Sequence, residues 1–380
     1  MALGMWFVPL STVLDAHGLH QIKPYAFATS ALAAFVSPLL FGAMADRHLG
    51  PVRVLRGLSI ATALAMALAA TAIHLGWNAW LVLGLIQVHA LFSTPTWSIS
   101  TSIVLSRLTE SRREFGPIRA VATFGWMAGC GVVSALNADA STLAGYGGSI
   151  TWLALAAFTL TLKGEVPPKS TESVTLRQRF GLDALALFKK KDHQVVFITA
   201  ALFSIPIAAF YPFTPSHLKA VGLERTSAWM ALGQITEIIA MVGLARILTS
   251  YRLKCIFATG MTFGLIRYVL CAFDTKASLL VGVTLHGFAF TLFFITAQLY
   301  LDERVDPKWR VRAQALMSLM TSGIGNLIGY LSCGWWFAVC ARPDGVRWTL
   351  FWGTLAGAVG VVLVYFLSRY HGVKGHPQKA

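Results

Sequence analysis

Residues 164–192 read GEVPPKSTESVTLRQRFGLDALALFKKKD. The stretch holds Pro167 and Pro168, several Ser and Thr, and Lys189, Lys190 and Lys191 in a row. A segment so charged cannot lie in hydrocarbon, where each ionic side chain costs at least about 2.5–3.5 kcal/mol. On both sides the sequence is a succession of apolar runs of about 20 residues, the length that crosses a bilayer as a helix. Six runs precede the stretch, near 1–15, 24–45, 54–75, 78–103, 116–137 and 142–163. Six follow it, near 193–215, 226–248, 252–273, 277–299, 313–340 and 346–368. The pattern predicts an all-α polytopic membrane protein with 12 transmembrane helices in two six-helix halves. The halves are 1–163 and 193–368, joined by a cytoplasmic linker at 164–192 and followed by a tail at 369–380. In the second half of the linker Phe180, Leu182, Leu185 and Phe188 stand against Arg177, Arg179 and the three lysines. That segment is either a short interfacial helix or a solvated connector.

Composition agrees. Of 380 residues 56% are hydrophobic and 12% charged, about half the charged share of roughly 25% in soluble domains. Mean hydropathy is +0.64. Soluble enzymes and disordered chains are excluded, the latter because disorder needs few apolar residues. No nucleophile–base pair or metal cluster stands at usable spacing, so neither catalysis, a cofactor nor a metal is expected. The five cysteines lie in or beside apolar runs without C-x-x-C spacing, and read as small buried residues.

The net charge of +15 has a topological reading. Loops after the even-numbered runs and the C-terminus hold most of the basic residues, including Arg47, Arg53, Arg56, Lys189, Arg310 and Arg312. The opposite loops hold only Lys23, Lys219, Arg225, Lys276, Arg342 and Arg347. By the positive-inside rule both termini and the central linker are cytoplasmic, and no nucleic-acid partner is needed. The first run, MALGMWFVPLSTVL, is short before Asp15 and has no basic n-region or cleavage site. A start upstream is therefore expected. Gly125-x-x-x-Gly129, Gly325-x-x-x-Gly329 and Gly353-x-x-x-Gly357 have the spacing of closely packed helices.

Ionisable side chains inside spans are functional candidates by default. Glu237 is the acid set deepest in a run, within ALGQITEIIAMVGLA, and Gln234 three residues earlier shares its face. An amide and a carboxyl facing one cavity suit a ligand of mixed donors and acceptors, and a buried carboxyl can exchange a proton. The alternative is a structural Glu237 paired with Arg267. Arg119, Thr123 and Trp126 form one helical stripe in FGPIRAVATFGW, reading as a polar wall with a stacking platform. The alternative for Arg119 is snorkelling to headgroups. His286 with Phe290 in LHGFAFTLFF is a ligand contact, a proton shuttle or a backbone partner. His89 and Arg267 read as structural, and Asp15, near the outer end of the first run, as interfacial. Trp126 and Phe290 are the aromatics that share faces with polar candidates.

Two resemblances follow from these residues. The six-plus-six arrangement and the loop GAMADRHLG (42–50) resemble the major facilitator superfamily, whose signature is G-x-x-x-D-R-x-G; here one residue is added before the last Gly. Asp46 and Arg47 are then expected to act in conformational gating. Further, FGPIRAVATFGWMAG, MALGQITEIIAM, RYVLCAF, LHGFAFTLFF and RVRAQALMSLMTSGIGNLIG, in this order, resemble the nucleoside:H+ symporter family of that superfamily. The resemblance covers most of the chain. It implies a secondary active transporter that takes up nucleosides with protons across a bacterial inner membrane. It implies that Arg119, Thr123, Trp126, Gln234, Glu237 and Phe290 bind the solute; His286 is expected to join them, and Glu237, as the buried carboxyl, to carry the coupling proton. The implied partners are a nucleoside-like solute, the proton and the lipid bilayer; a monomer is expected, although the sequence does not give the oligomeric state. This chain departs from the best-studied members at His286, where they have Tyr, and at Thr291, where they have Asp. In SIPIAAFYPF it also lacks their amide side chains, leaving Ser204 and Tyr211 as the polar groups. Transport of another polar solute, such as a sugar or metabolite, and a non-transporting membrane receptor stay open as alternatives.

Overall fold

The computed structural model describes residues 1–47, 50–108, 111–162, 175, 180 and 182–372. The described chain is helical apart from one two-residue hairpin, Ala341–Arg342 with Gly345–Val346. In sequence order the α-helices are α1 (Ala2–Trp6), α2 (Leu10–Ala16), α3 (Lys23–Arg47), α4 (Pro51–His74), α5 (Ala79–Leu105), α6 (Ser111–Ala135) and α7 (Leu143–Phe158). There follow α8 (Lys191–Ile207), α9 (Phe210–Ala220), α10 (Thr226–Met230), α11 (Leu232–Ser250), α12 (Leu253–Ala272), α13 (Lys276–Thr284) and α14 (His286–Phe290). Last come α15 (Thr296–Arg304), α16 (Pro307–Ser318), α17 (Asn326–Cys340) and α18 (Trp348–Arg369). Seven described segments are long and apolar enough to span a bilayer: 51–74, 79–104, 191–220, 226–250, 253–272, 276–304 and 348–369. A helix is the natural answer to such a sequence, because it satisfies every backbone N–H and C=O without water.

The exposed faces are apolar. On α6, Ile118, Val121 and Phe124 point outward, and on α11 Ile235, Ile239 and Val242 do so. Each set recurs at three- or four-residue spacing on one side of its helix, as expected of a face meant for lipid. The polar residues at the intervening positions are thereby turned inward.

The chain divides into two compact units. The first comprises Met1–Leu176 together with Tyr211–Ser216 and Arg225–Ala231. Within it α4 packs on α5 and α7, α3 on α5, and α1 on α6 and α7. Val52, Val54, Leu55, Leu58, Ile99 and Ile103 form one buried cluster. Polar contacts bind the two later segments in. Ser11 Oγ donates to the Pro212 carbonyl. Buried Lys23 donates through Nζ to Asp15 Oδ2 at 2.6 Å and to Ser216 Oγ at 2.9 Å, and Ser216 Oγ donates to Asp15 Oδ2 at 2.7 Å. Asp15, expected to be merely interfacial, is thus the centre of a three-residue network. A second network caps α10: Asp139 Oδ1 accepts from the Ser227 N–H at 2.6 Å and from Ser134 Oγ at 3.0 Å, and Ser134 Oγ accepts from the Ala228 N–H at 2.9 Å. The first N–H groups of a helix have no partner within it, and here a distant loop supplies one.

The second unit comprises Arg177–Phe210, His217–Glu224 and Leu232–Ala380. Its α12 packs on α18, α13 and α14. Residues Leu182–Lys189 of the linker form a 3₁₀ helix lying on α8 and α16, with Ala184 buried and the Phe188 ring 5.4 Å from that of Phe197. The segment is thus a short helix packed on the bundle rather than a free connector. The rest of the linker reading (164–174, 176–179 and 181) and tail residues 373–380 lie outside the described residues.

Two spans of this unit contain π-helical turns, at Thr291–Ile295 and Leu319–Gly325. Such bulges leave one backbone group without its usual partner and often sit at functional sites. The 191–220 segment breaks at residues 208–209, just after Pro206, whose carbonyl accepts from Tyr268 Oη at 2.6 Å.

The Gly-x-x-x-Gly expectation holds at two sites and fails at a third. A Cβ at Gly129 would lie 2.4 Å from the Met1 carbonyl oxygen, and one at Gly329 2.5 Å from that of Ile205. At Gly353 and Gly357 a Cβ would meet nothing within 4 Å, so that pair marks no close contact. Spacing alone cannot say which face of a helix has a neighbour.

Candidate functional site

In the first unit, α6 turns Thr123 and Trp126 inward while Val121 and Phe124 face out. Thr123 is buried and Trp126 half-buried. Trp126 is held by its backbone as well as its ring, since a Cβ at Gly4 of α1 would fall 2.4 Å from the Trp126 carbonyl oxygen. Around the indole stand Phe7, with ring centroids 6.4 Å apart, and Tyr211, 6.1 Å away. Phe7 also meets Tyr211 and Phe27 edge-on at 5.2 and 5.0 Å. The platform predicted from Trp126 alone is therefore an aromatic group. Phe7 escaped the sequence reading because the short first run gave no register for its face. The side chains of Arg119, Asp46 and Arg47 lie outside the described residues. His89 is buried with its ring edge-on to Trp6 at 5.6 Å, a packing contact consistent with a structural part.

In the second unit, α11 places Gln234 and Glu237 on its buried face, opposite Ile235, Ile239 and Val242. Glu237 is only 8% exposed, so it does not face lipid. Its position is fixed by a backbone-to-backbone contact with α14. A Cβ at Gly287 would lie 2.0 Å from the Glu237 backbone nitrogen and 2.4 Å from the Gly233 carbonyl oxygen. Reciprocally, a Cβ at Gly233 would lie 3.0 Å from His286 Cβ. Only paired glycines let two helices approach so closely. The Thr236 hydroxyl donates to the Thr284 carbonyl and ties the same two spans one turn away.

His286 sits at the head of α14 beside this crossing. Its Nδ1 is 2.7 Å from Arg267 Nη1, and its ring stacks on Phe210 with centroids 4.1 Å apart and planes 9° apart. The Arg267 guanidinium, fully buried, lies near the rings of Phe210 and Tyr268, at 4.6 and 4.5 Å from their centroids. Arg267, His286, Phe290, Phe203 and Phe294 surround a gap with no room for a water molecule. Arg267, read as structural, is buried here with His286 as a hydrogen-bonding partner. Nothing local in RYVLCAF told which of its faces α12 would bury. Phe210 was likewise missed. Ser204, one of the polar groups available in its span, bonds its own helix through the Ala200 carbonyl and packs under Gly325. Thr291 is buried at the start of the π turn, one residue beyond Phe290.

Among the described residues there is no cluster of three or more His, Cys, Asp or Glu fit to hold a metal, and the cysteines are unpaired thiols. The chemistry on offer is hydrogen bonding and aromatic stacking: hydroxyl, amide, carboxyl and imidazole groups on inward faces, with rings beside them.

Known proteins are similar to this chain in sequence and fold. The family profile described as Nucleoside H+ symporter matches residues 1–373. The putative nucleoside transporter YegT of Escherichia coli K12 is 31% identical over 96% of this chain and 89% of its own length. Xanthosine permease of the same organism is 24% identical over 96% and 92%. Nucleoside permease NupG is 24% identical over 90% and 86%. The crystal structures of a mutant and the unmodified nucleoside transporter NupG superpose with TM-scores of 0.88 and 0.85 at 23% identity, each covering 97% of this chain. The fold is therefore the helical major facilitator architecture. With the family profile spanning almost every residue and a relative above 30% identity along nearly the whole length, the chain belongs to the nucleoside H+ symporter family.

Proposed function

We propose that this protein takes up nucleosides together with protons, as a multi-pass transporter of 12 spans in a bacterial inner membrane, monomeric and with both termini in the cytoplasm. Solute contacts are assigned to Arg119, Thr123 and Trp126 in the first unit and to Gln234, Glu237, His286 and Phe290 in the second. Asp46 and Arg47 are assigned to gating. The observation that carries the reading is Glu237: an acid on the buried face of α11, opposite a lipid-type face and pinned through its own backbone to α14. An ionisable group held there at such cost needs a use. With Thr at position 291, Glu237 is the carboxyl assigned to the coupling proton. Coupling requires that protonation and solute binding favour the same conformer, since a ligand shifts an equilibrium only by its differential affinity.

The test is uptake of radiolabelled uridine and adenosine into proteoliposomes under an imposed pH gradient, with and without a protonophore. Concentrative uptake that the protonophore collapses, and that excess nucleoside but not sugar competes away, supports the reading. Sugar competition without nucleoside competition moves the substrate class. Ligand binding with no flux makes the protein a receptor.

A further inference from the structure

The Arg267–His286 contact fixes more than a position. All five guanidinium N–H groups of arginine are donors and none of its atoms accepts. At 2.7 Å from Arg267 Nη1, His286 Nδ1 must therefore be the acceptor and carry no proton. The single proton of the neutral ring then sits on Nε2. Protonating Nδ1 would break this bond and set an imidazolium against a guanidinium inside a core where Arg267 is 0% exposed. Phe210 and Tyr268 pack against the guanidinium, with centroids 4.6 and 4.5 Å from its central carbon, and Phe210 covers the imidazole as well. The cation is also in excess of what His286 needs: Arg267 Nε and Nη2 are buried without a hydrogen-bond partner among the described residues. The titratable and charged groups on the helices packed against α14 are Glu237 and Arg246 on α11, Lys254, Cys255, Arg267, Tyr268 and Cys271 on α12, and Lys276 on α13.

We propose that Arg267 is a positioning residue that holds His286 as a permanent neutral Nε2–H donor, so that His286 offers a hydrogen bond during transport and never carries the coupling proton. The part played in transport rests on the function proposed above; the protonation state does not.

The test has two arms. In the first, ¹⁵N NMR on histidine-labelled full-length protein in detergent, with His286 assigned by difference from His286→Asn, follows the ring between about pH 5 and 8. The expected result is protonated Nε2 and unprotonated Nδ1 at every pH; a ring that titrates in this range, or carries its proton on Nδ1, overturns the proposal. In the second, uridine affinity is measured in the Glu237→Gln background. It is expected to stay flat across the same range with Arg267 or Arg267→Lys, and to vary at least threefold with Arg267→Met. A flat Arg267→Met profile in folded protein overturns the proposal. Absence of uridine binding by the parent protein overturns the nucleoside reading instead and leaves the first arm to decide the protonation state without any variant at Arg267.

Discussion

Gly287→Ala tests the crossing of α11 and α14 with a single methyl group. The added Cβ would stand 2.0 Å from the Glu237 nitrogen, 2.4 Å from the Gly233 oxygen and 2.5 Å from Thr236 Oγ1, where ordinary contact begins at 3.4 Å. Two of these neighbours are backbone atoms of a regular helix and cannot rotate away. The helices must part by about 1.4 Å, which carries Glu237 and Gln234 away from His286 by a similar distance. Overpacking of this kind costs about 1–3 kcal/mol, and the upper end applies because backbone opposes backbone. We expect an apparent Tm in detergent lower by about 5 °C, taking about 2–4 °C per kcal/mol, and uridine uptake per folded molecule at least tenfold lower. Gly353→Ala is the matched control. It adds the same methyl to a helix where nothing lies within 4 Å, and it should be neutral or stabilise by up to about 1 kcal/mol through backbone entropy. A Gly287→Ala protein with the Tm and uptake of the parent would refute the claim that this crossing sets the position of Glu237.

Three further outcomes are expected. Glu237→Gln removes the ionisable group but keeps the shape and a hydrogen-bonding end, so accumulation against a gradient should vanish while some solute exchange persists; full concentrative uptake would take the coupling role away from Glu237. Asp139→Ala leaves the Ser227 N–H of α10 without its acceptor, and loss of such a cap costs about 0.5–2 kcal/mol, readable as a lower Tm that Asp139→Asn partly restores. Asp15→Asn removes the carboxylate 2.6 Å from the buried Lys23 ammonium; breaking a fully buried pair costs about 3–5 kcal/mol, and because Asp15 is 33% exposed the loss should fall to about 1–2 kcal/mol. An unchanged Tm in Asp15→Asn would mean that water already screens this pair.

The order of apolar runs about the 164–192 stretch was enough to reach a helical membrane protein, because lipid permits so few backbone solutions that hydropathy nearly dictates the secondary structure. The inward faces of α6 and α11 were also legible. Thr123 with Trp126, and Gln234 with Glu237, follow from a period of 3.6 residues once the neighbouring positions are seen to be apolar. What periodicity cannot carry is the identity of the partner across a contact. Nothing in RYVLCAF or in LHGFAF says that Arg267 reaches His286, and nothing in SIPIAAFYPF says that Phe210 covers both. The same limit separates Gly287, where another backbone fills the space, from Gly353, where none does. Hydrophobic matching with lipid is a property of each helix by itself and is written along it; which side chains meet depends on how helices distant in sequence cross, and only the folded chain decides that.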